Sequence, residues 1–217
     1  MSGFLFGAAV KPVSDFIPRV MPYLPGCPVP MAAQAIVDAA IQFCESSMAV
    51  RQYLDPIVLV PGQRTYDLDT PLQQEVARVM RAAVDGAEIS LTPLAFAPMG
   101  TPSQGRPFAL TVTRLDSYPE IQLAPIPDAS YTLTVDAALR PTRTATNLAD
   151  DLWTLWLDAI VAGAVSAVQR IPSQPFSDPT GAAQRHAEFR SHISRARVDA
   201  SMGKVQSALR VKARPFA

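Results

Sequence analysis

Asn147–Arg170, NLADDLWTLWLDAIVAGAVSAVQR, is the stretch whose reading decides the fold. Leu152, Leu155, Trp156, Ala159, Ile160, Gly163, Ala164 and Ala167 recur at three- and four-residue steps, which predicts one long buried helix. Asp150 or Asp151 is placed to cap its start, where backbone N–H groups have no intrahelical partner. The stripe is bulky at one end and small at the other. Ala159, Ala162, Gly163, Ala164 and Ala167 leave room for a second helix backbone to come close. Arg170 falls in the last turn, where a cation suits the exposed carbonyls. Ile171-Pro172 then stops the helix, because proline disfavours helical geometry in the residue before it.

Upstream, residues 1–13 read as a loose arm. Ser14 is placed to cap a short helix through Phe16, Val20 and Tyr23, with Pro18 near its first turn. Pro25–Pro30 is a stiff connector, and Pro30 is set to begin a helix over Met31–Val50. That helix buries Ala32, Ile36, Ala39, Ala40, Phe43 and Ser47. After Arg51 the period changes. Leu54–Val60, Thr65–Leu68, Glu75–Val84, Ala87–Leu91, Phe108–Arg114, Glu120–Ala124 and Tyr131–Leu139 read as strands. Asp85-Gly86 is a two-residue hairpin signal, and Asp128-Ala129-Ser130 a further hairpin link. Thr92-Pro93 suits a short helical turn. Short polar turns between strands argue for an antiparallel section. Downstream, Asp178 or Thr180 starts a last helix that runs to about Lys204. Its apolar residues are Ala183, Ala187, Phe189, Ile193 and Val198, and its polar residues are mostly arginine.

Of 217 residues, 48% are hydrophobic and 18% charged, enough for a packed core. The 21 prolines sit largely between apolar runs, which predicts rigid connections. Formal charge is zero but uneven. From Ala182 onward, eight basic and two acidic residues give 8 − 2 = +6, so the rest carries −6. The cations are Arg185, Arg190, Arg195, Arg197, Lys204, Arg210, Lys212 and Arg214. A basic arm on an acidic body suggests an acidic partner; a solvated helix face with a frayed end is the plainer reading. Cys27 and Cys44 make no disulfide framework and fit a reducing compartment. The apolar run FLFGAAV precedes Lys11 and does not read as a secretory signal. No apolar run approaches the roughly 18 residues of a membrane span.

No catalytic arrangement is legible: no GxSxG elbow, Gly-rich phosphate loop or HExxH. His186 and His192 are six apart, about 240° of helical rotation, so they do not face one site. Glu188 and His192 are four apart, a spacing for ordinary surface pairing. The cysteine spacing does not suit zinc. Asp150-Asp151 reads better as capping than as a metal pair. Trp153 and Trp156 are an aromatic platform or, more simply in an alanine-rich helix, core. Arg78, Arg81, Arg114, Arg140 and Arg143 could line a basic surface, but Asp67, Asp69, Asp85 and Glu88 lie close in sequence, and interleaved aromatics are absent. No cofactor, metal or enzymatic activity is expected.

The order of segments carries a resemblance. A helix with Ala33-Gln34-Ala35-Ile36 and Phe43-Cys44 precedes Pro56–Leu68, PIVLVPGQRTYDL. Ile121–Pro127, IQLAPIP, comes next, then the helix with Trp153 and Ile160, then Pro175-Phe176-Ser177-Asp178-Pro179 before the basic helix. The chain resembles the head-to-tail adaptor (connector) proteins of tailed bacteriophages, the class of tail tubular protein A. The PGQ…YxL hairpin and the PFxDP link carry most of this likeness, which spans most of Met31–Lys204. The resemblance implies a structural protein of the virion neck, between capsid and tail, made in the host cytoplasm. It implies a homo-oligomeric ring, typically of twelve copies, bound to the portal protein and offering a platform to tail or nozzle proteins. DNA would pass through it without sequence-specific binding, and no membrane is involved.

The expected fold is α+β: a helical bundle of three to four helices with an inserted antiparallel β domain and extended terminal arms. Residues 1–53 would form the N-terminal arm and first bundle helices, 54–146 the inserted β section, 147–204 the C-terminal bundle helices, and 205–217 a docking tail. Ile36, Phe43, Leu152, Trp156, Ile160 and Gly163 would make the bundle core. Lys204, Val205, Leu209, Arg210, Val211, Lys212, Arg214 and Phe216 would make the portal-docking tail, with apolar anchors and charge for steering. The alternative is a nucleic-acid-binding protein using Arg185–Arg214, whose affinity would fall steeply with salt.

Overall fold

The computed structural model describes residues 9–96, 103–114 and 119–202. Among them run ten strands and five α-helices: β1 (Val10–Pro12), α1 (Val13–Val20), α2 (Val29–Ser47), β2 (Arg51–Tyr53), β3 (Ile57–Val58), β4 (Thr65–Asp67), β5 (Gln74–Val84), β6 (Ala87–Leu91), β7 (Ala109–Arg114), β8 (Glu120–Ala124), β9 (Thr132–Pro141), β10 (Asn147–Ala149), α3 (Asp150–Thr154), α4 (Leu157–Gln169) and α5 (Pro179–Met202).

The expected helical bundle with an inserted antiparallel β domain is corrected here. The molecule is built on one eight-stranded sheet, ordered β2-β9-β5-β6-β7-β8-β4, with β3 following β2 along the same margin of β9. That sheet cannot be flat. From β3 to β4 is six strand spacings, roughly 29 Å across a flat sheet. The chain from Val58 to Thr65 reaches at most roughly 25 Å even when fully extended, and it turns at Gly62, where φ is +83°. The sheet therefore curls until its margins approach. Tyr66 fastens them: its hydroxyl accepts the Val60 N–H at 2.9 Å and lies 3.2 Å from the Val60 carbonyl and 3.1 Å from that of Gln63. Leu59, Tyr66, Val84, Leu110, Ile121, Leu123 and Leu133 fill the interior, all buried.

The long strands β5 and β9 join this curled end to the helices. Two bulges in β5 keep their inward residues matched, pairing Val76 with Leu139, Val79 with Ala137, Ala82 with Val135 and Val84 with Leu133. One end of the pair packs on α2, which also packs on α1, α4 and α5. A single cluster of buried residues runs from Phe16 and Ile36 through Leu139 to Leu133 and Leu123, so helices and sheet share one core.

Two further corrections concern the strands. The section is not wholly antiparallel, because β6 and β7 pair in parallel at Ser90 with Ala109 and Leu91 with Leu110. Asp128-Ala129-Ser130 is no hairpin link, because β8 pairs with β7 and β4 while β9 pairs with β5, β2 and β3. The Asp85-Gly86 turn does join neighbours, β5 and β6.

The single helix expected over 147–170 is three elements. Asn147–Ala149 pairs as β10 with β1, and the Asp150 N–H donates to the Ala9 carbonyl at 2.9 Å. The neighbouring strand supplies what a side-chain cap would have, so neither aspartate caps, although both stand in the first turn of α3. The same holds for α1. Its first N–H, at Val13, donates to the Thr146 carbonyl at 2.9 Å, and Ser14 does not cap. The helix breaks at Leu155-Trp156, turning Trp153 onto Phe16 (centroids 5.1 Å apart) and Trp156 onto Phe43 (5.4 Å).

Candidate interaction surface

α5 is where the sequence placed its functional weight. Asp178 opens it: its Oδ1 accepts the Gly181 N–H at 2.9 Å. Ala182, Phe189, Ile193 and Ala196 are its buried face, while Val198 stands half exposed. Phe189 lies where α2, α4 and α5 meet, 6.4 Å from the Phe43 ring. Gly163 permits that meeting. A Cβ there would sit 2.9 Å from Phe189 Cε2 and 3.0 Å from Ala39 Cβ. Ile36, Phe43, Leu152, Ile160 and Gly163 are buried, and Trp156 is partly buried against the same core.

Several arginines are occupied inside the chain. Arg197 donates through Nε and Nη2 to the Ser46 carbonyl at 3.0 and 2.6 Å, satisfying an acceptor at the end of α2. Arg185 lies 4.5 Å from the Tyr23 ring centroid and pairs with Glu188 at 3.1 Å. Glu188 thus pairs with Arg185. Arg81 pairs with Glu88, Arg140 with Glu45 and Glu75, and Arg143 lies 4.0 Å from Asp38. Arg51 pairs with Asp136, and donates to the Ala200 carbonyl at 3.4 Å, tying the end of α5 to the sheet.

Two grooves flank that end of α5. One, of about 450 Å³, is lined by Arg51, Arg78 and Arg197 with Met48 and Met80. The other, of about 350 Å³, lies at the α3–α4 break and is lined by Leu155, Trp156 and Ala159 with Asp151, Asp158 and Asp199. Ala49, His192, Arg195, Ala196 and Ala200 complete this second groove. Leu155, expected in the buried stripe, is 51% exposed and lines it. The α3–α4 break at Leu155-Trp156 is what turns this side chain outward. No sequence signal brought Asp199 to the groove.

His186 stands apart from His192, and its pKa is lowered by burial and by the nearby charges of Arg170 and Arg190. Cys27 and Cys44 are free and buried. Burial, with the Glu45 charge beside it, pushes the Cys44 thiol up to about 12. Among the described residues no cluster of three or more His, Cys, Asp or Glu could hold a metal ion, and no helix is long and apolar enough to cross a membrane. The expected docking residues Lys204, Val205, Leu209, Arg210, Val211, Lys212, Arg214 and Phe216 lie outside the described residues.

Two comparisons bear on what such a surface serves. A family model described as SU10 adaptor protein matches residues 11–212. A comparison with curated proteins found no match.

Proposed function

The chain belongs to the SU10 adaptor protein family, and we propose that it joins the portal to the tail as a ring subunit in the neck of a tailed phage. The ring has twelve copies, sits beneath the portal, offers its far side to tail or nozzle proteins, and lets DNA pass unread. The observation that carries this reading is the family match. It spans residues 11–212, helices and curled sheet alike, and runs ten residues beyond α5.

The architecture suits the role. A ring subunit needs a stiff body and a terminal segment that gains order on contact. Ile36, Phe43, Leu152, Trp156, Ile160 and Gly163 give the stiffness. Residues 205–217, with Val205, Leu209, Val211 and Phe216 between Lys204, Arg210, Lys212 and Arg214, dock onto the portal. Arg51 and Arg197 tie the end of α5, the helix that precedes that segment, to the body.

Electron-microscope images of the protein mixed with its portal test the ring: a second collar is expected, and bare portals refute it. Deleting residues 205–217 should abolish portal binding with circular dichroism unchanged, and unimpaired binding refutes the docking role. A filter-binding titration at two salt concentrations separates this from DNA binding. Tight DNA affinity that collapses with salt would favour the alternative.

A further inference from the structure

We propose that the groove at the α3–α4 break is the resting site of the chain's own C-terminal segment, residues 203–217, before assembly. Three observations meet here. The first is a lining that sets apolar groups beside uncompensated carboxylates. Leu155 and Trp156 share the groove with Asp151, Asp158 and Asp199, none of which is in an ion pair among the described residues. With Arg195 the lining carries −3 + 1 = −2.

The second is complementarity. Residues 203–217, GKVQSALRVKARPFA, hold four cations and no acid, with Val205, Leu209, Val211 and Phe216 between them. That composition offers apolar side chains to Leu155 and Trp156 and cations to the three carboxylates. The other groove, equally near the segment through Ala200, is lined by Arg51, Arg78 and Arg197 against Glu45 alone, so its lining sums to 3 − 1 = +2 and favours the same segment less.

The third is the tether. Ala200 lines the acidic groove, and the segment begins three residues later at Gly203. A segment held that close acts at an effective concentration in the millimolar range, above that of any second copy. At about 350 Å³ the groove holds a few side chains, so only part of the segment is seated. Held by exposed charges and a small apolar contact, it is weakly bound. A portal offering more contact would draw it out, and subunits would not engage one another's segments meanwhile.

Limited trypsin digestion of the full-length chain tests this without any portal, so its outcome is independent of the docking reading. Cleavage after Lys204, Arg210 and Lys212 is followed by intact mass at low salt. In the chain carrying D151N, D158N and D199N these cuts should come about tenfold faster than in the native chain. L155S, which alters a side chain already 51% exposed, should release them in the same direction. Unchanged circular dichroism and unchanged cleavage within residues 9–202 show that the body stays folded. Native protection should be the same from about 1 to 100 µM protein, because the contact is intramolecular. Equal cleavage in native and variant chains overturns the proposal. So does protection that rises with concentration, which would place the segment on a second copy.

Discussion

Gly163→Ala tests the three-helix crossing most directly. In an exposed helix interior this change stabilises by about 0.8–1.0 kcal/mol, because glycine carries more backbone entropy to lose. Here the new methyl would lie 2.9 and 3.1 Å from Phe189 Cε2 and Cδ2, and 3.0 Å from Ala39 Cβ. Neither neighbour yields easily. Phe189 is 1% exposed and packs on Phe43, and the Ala39 Cβ is fixed to the α2 backbone. Overpacking of this kind costs about 1–3 kcal/mol. Subtracting the propensity gain leaves a net loss of about 0–2 kcal/mol. Urea unfolding followed by tryptophan fluorescence reads it as a lower midpoint with an unchanged slope. Adding Phe189→Leu should recover part of the loss, with a coupling of about 0.5–3 kcal/mol in a double-mutant cycle. A variant stabilised by about 1 kcal/mol would mean that α5 does not press on α4 at this point, and the reasoning would fail.

Tyr66→Phe should cost about 0.5–1.5 kcal/mol, because the Val60 N–H exchanges its phenol acceptor for water. Hydrogen exchange at the Val60 amide should quicken with it; an unchanged rate would mean that the hydroxyl does not fasten the sheet margins. His186 should titrate by NMR below the ordinary histidine value of about 6.5, since burial and the charges of Arg170 and Arg190 oppose its proton. The unfolded chain then binds more protons than the folded one between the two pKa values. Stability contributed at this position is therefore lost as pH falls from about 6.5, and Arg190→Gln should move the midpoint up.

The helices were legible wherever an apolar face met water on the other side. The α2 face of Ile36, Ala39, Ala40 and Phe43 was read from its period, and Asp178-Pro179 announced α5. What escaped were features made by pairing partners far off in the chain. Asn147–Ala149 has no strand signal of its own; it is a strand because β1 lies beside it. The curl depends on a six-residue link between opposite margins, which no local pattern encodes. Taking the sheet for an insert in a helical bundle followed from that, because the order of strands across it is set by pairings between distant segments. The groove at the α3–α4 break was hidden for a related reason. Leu155 counts as apolar in any periodic reading, and only the break exposes it.

One consequence of the bulged strand remains. Gln74 to Val84 covers ten residue steps while its partner, Pro141 to Leu133, covers eight. The longer strand behaves like the outer rail of a bend, and the surplus is what turns the track. Trimming Ala77 and Met80 together would restore equal rails and leave every inward side chain in step. The ladder would then run straighter, and the seam that Tyr66 closes would be drawn apart. Part of the curvature is thus stored as a count of residues in one strand, beside the short link that joins the margins, and a change that keeps every buried side chain can still undo the shape.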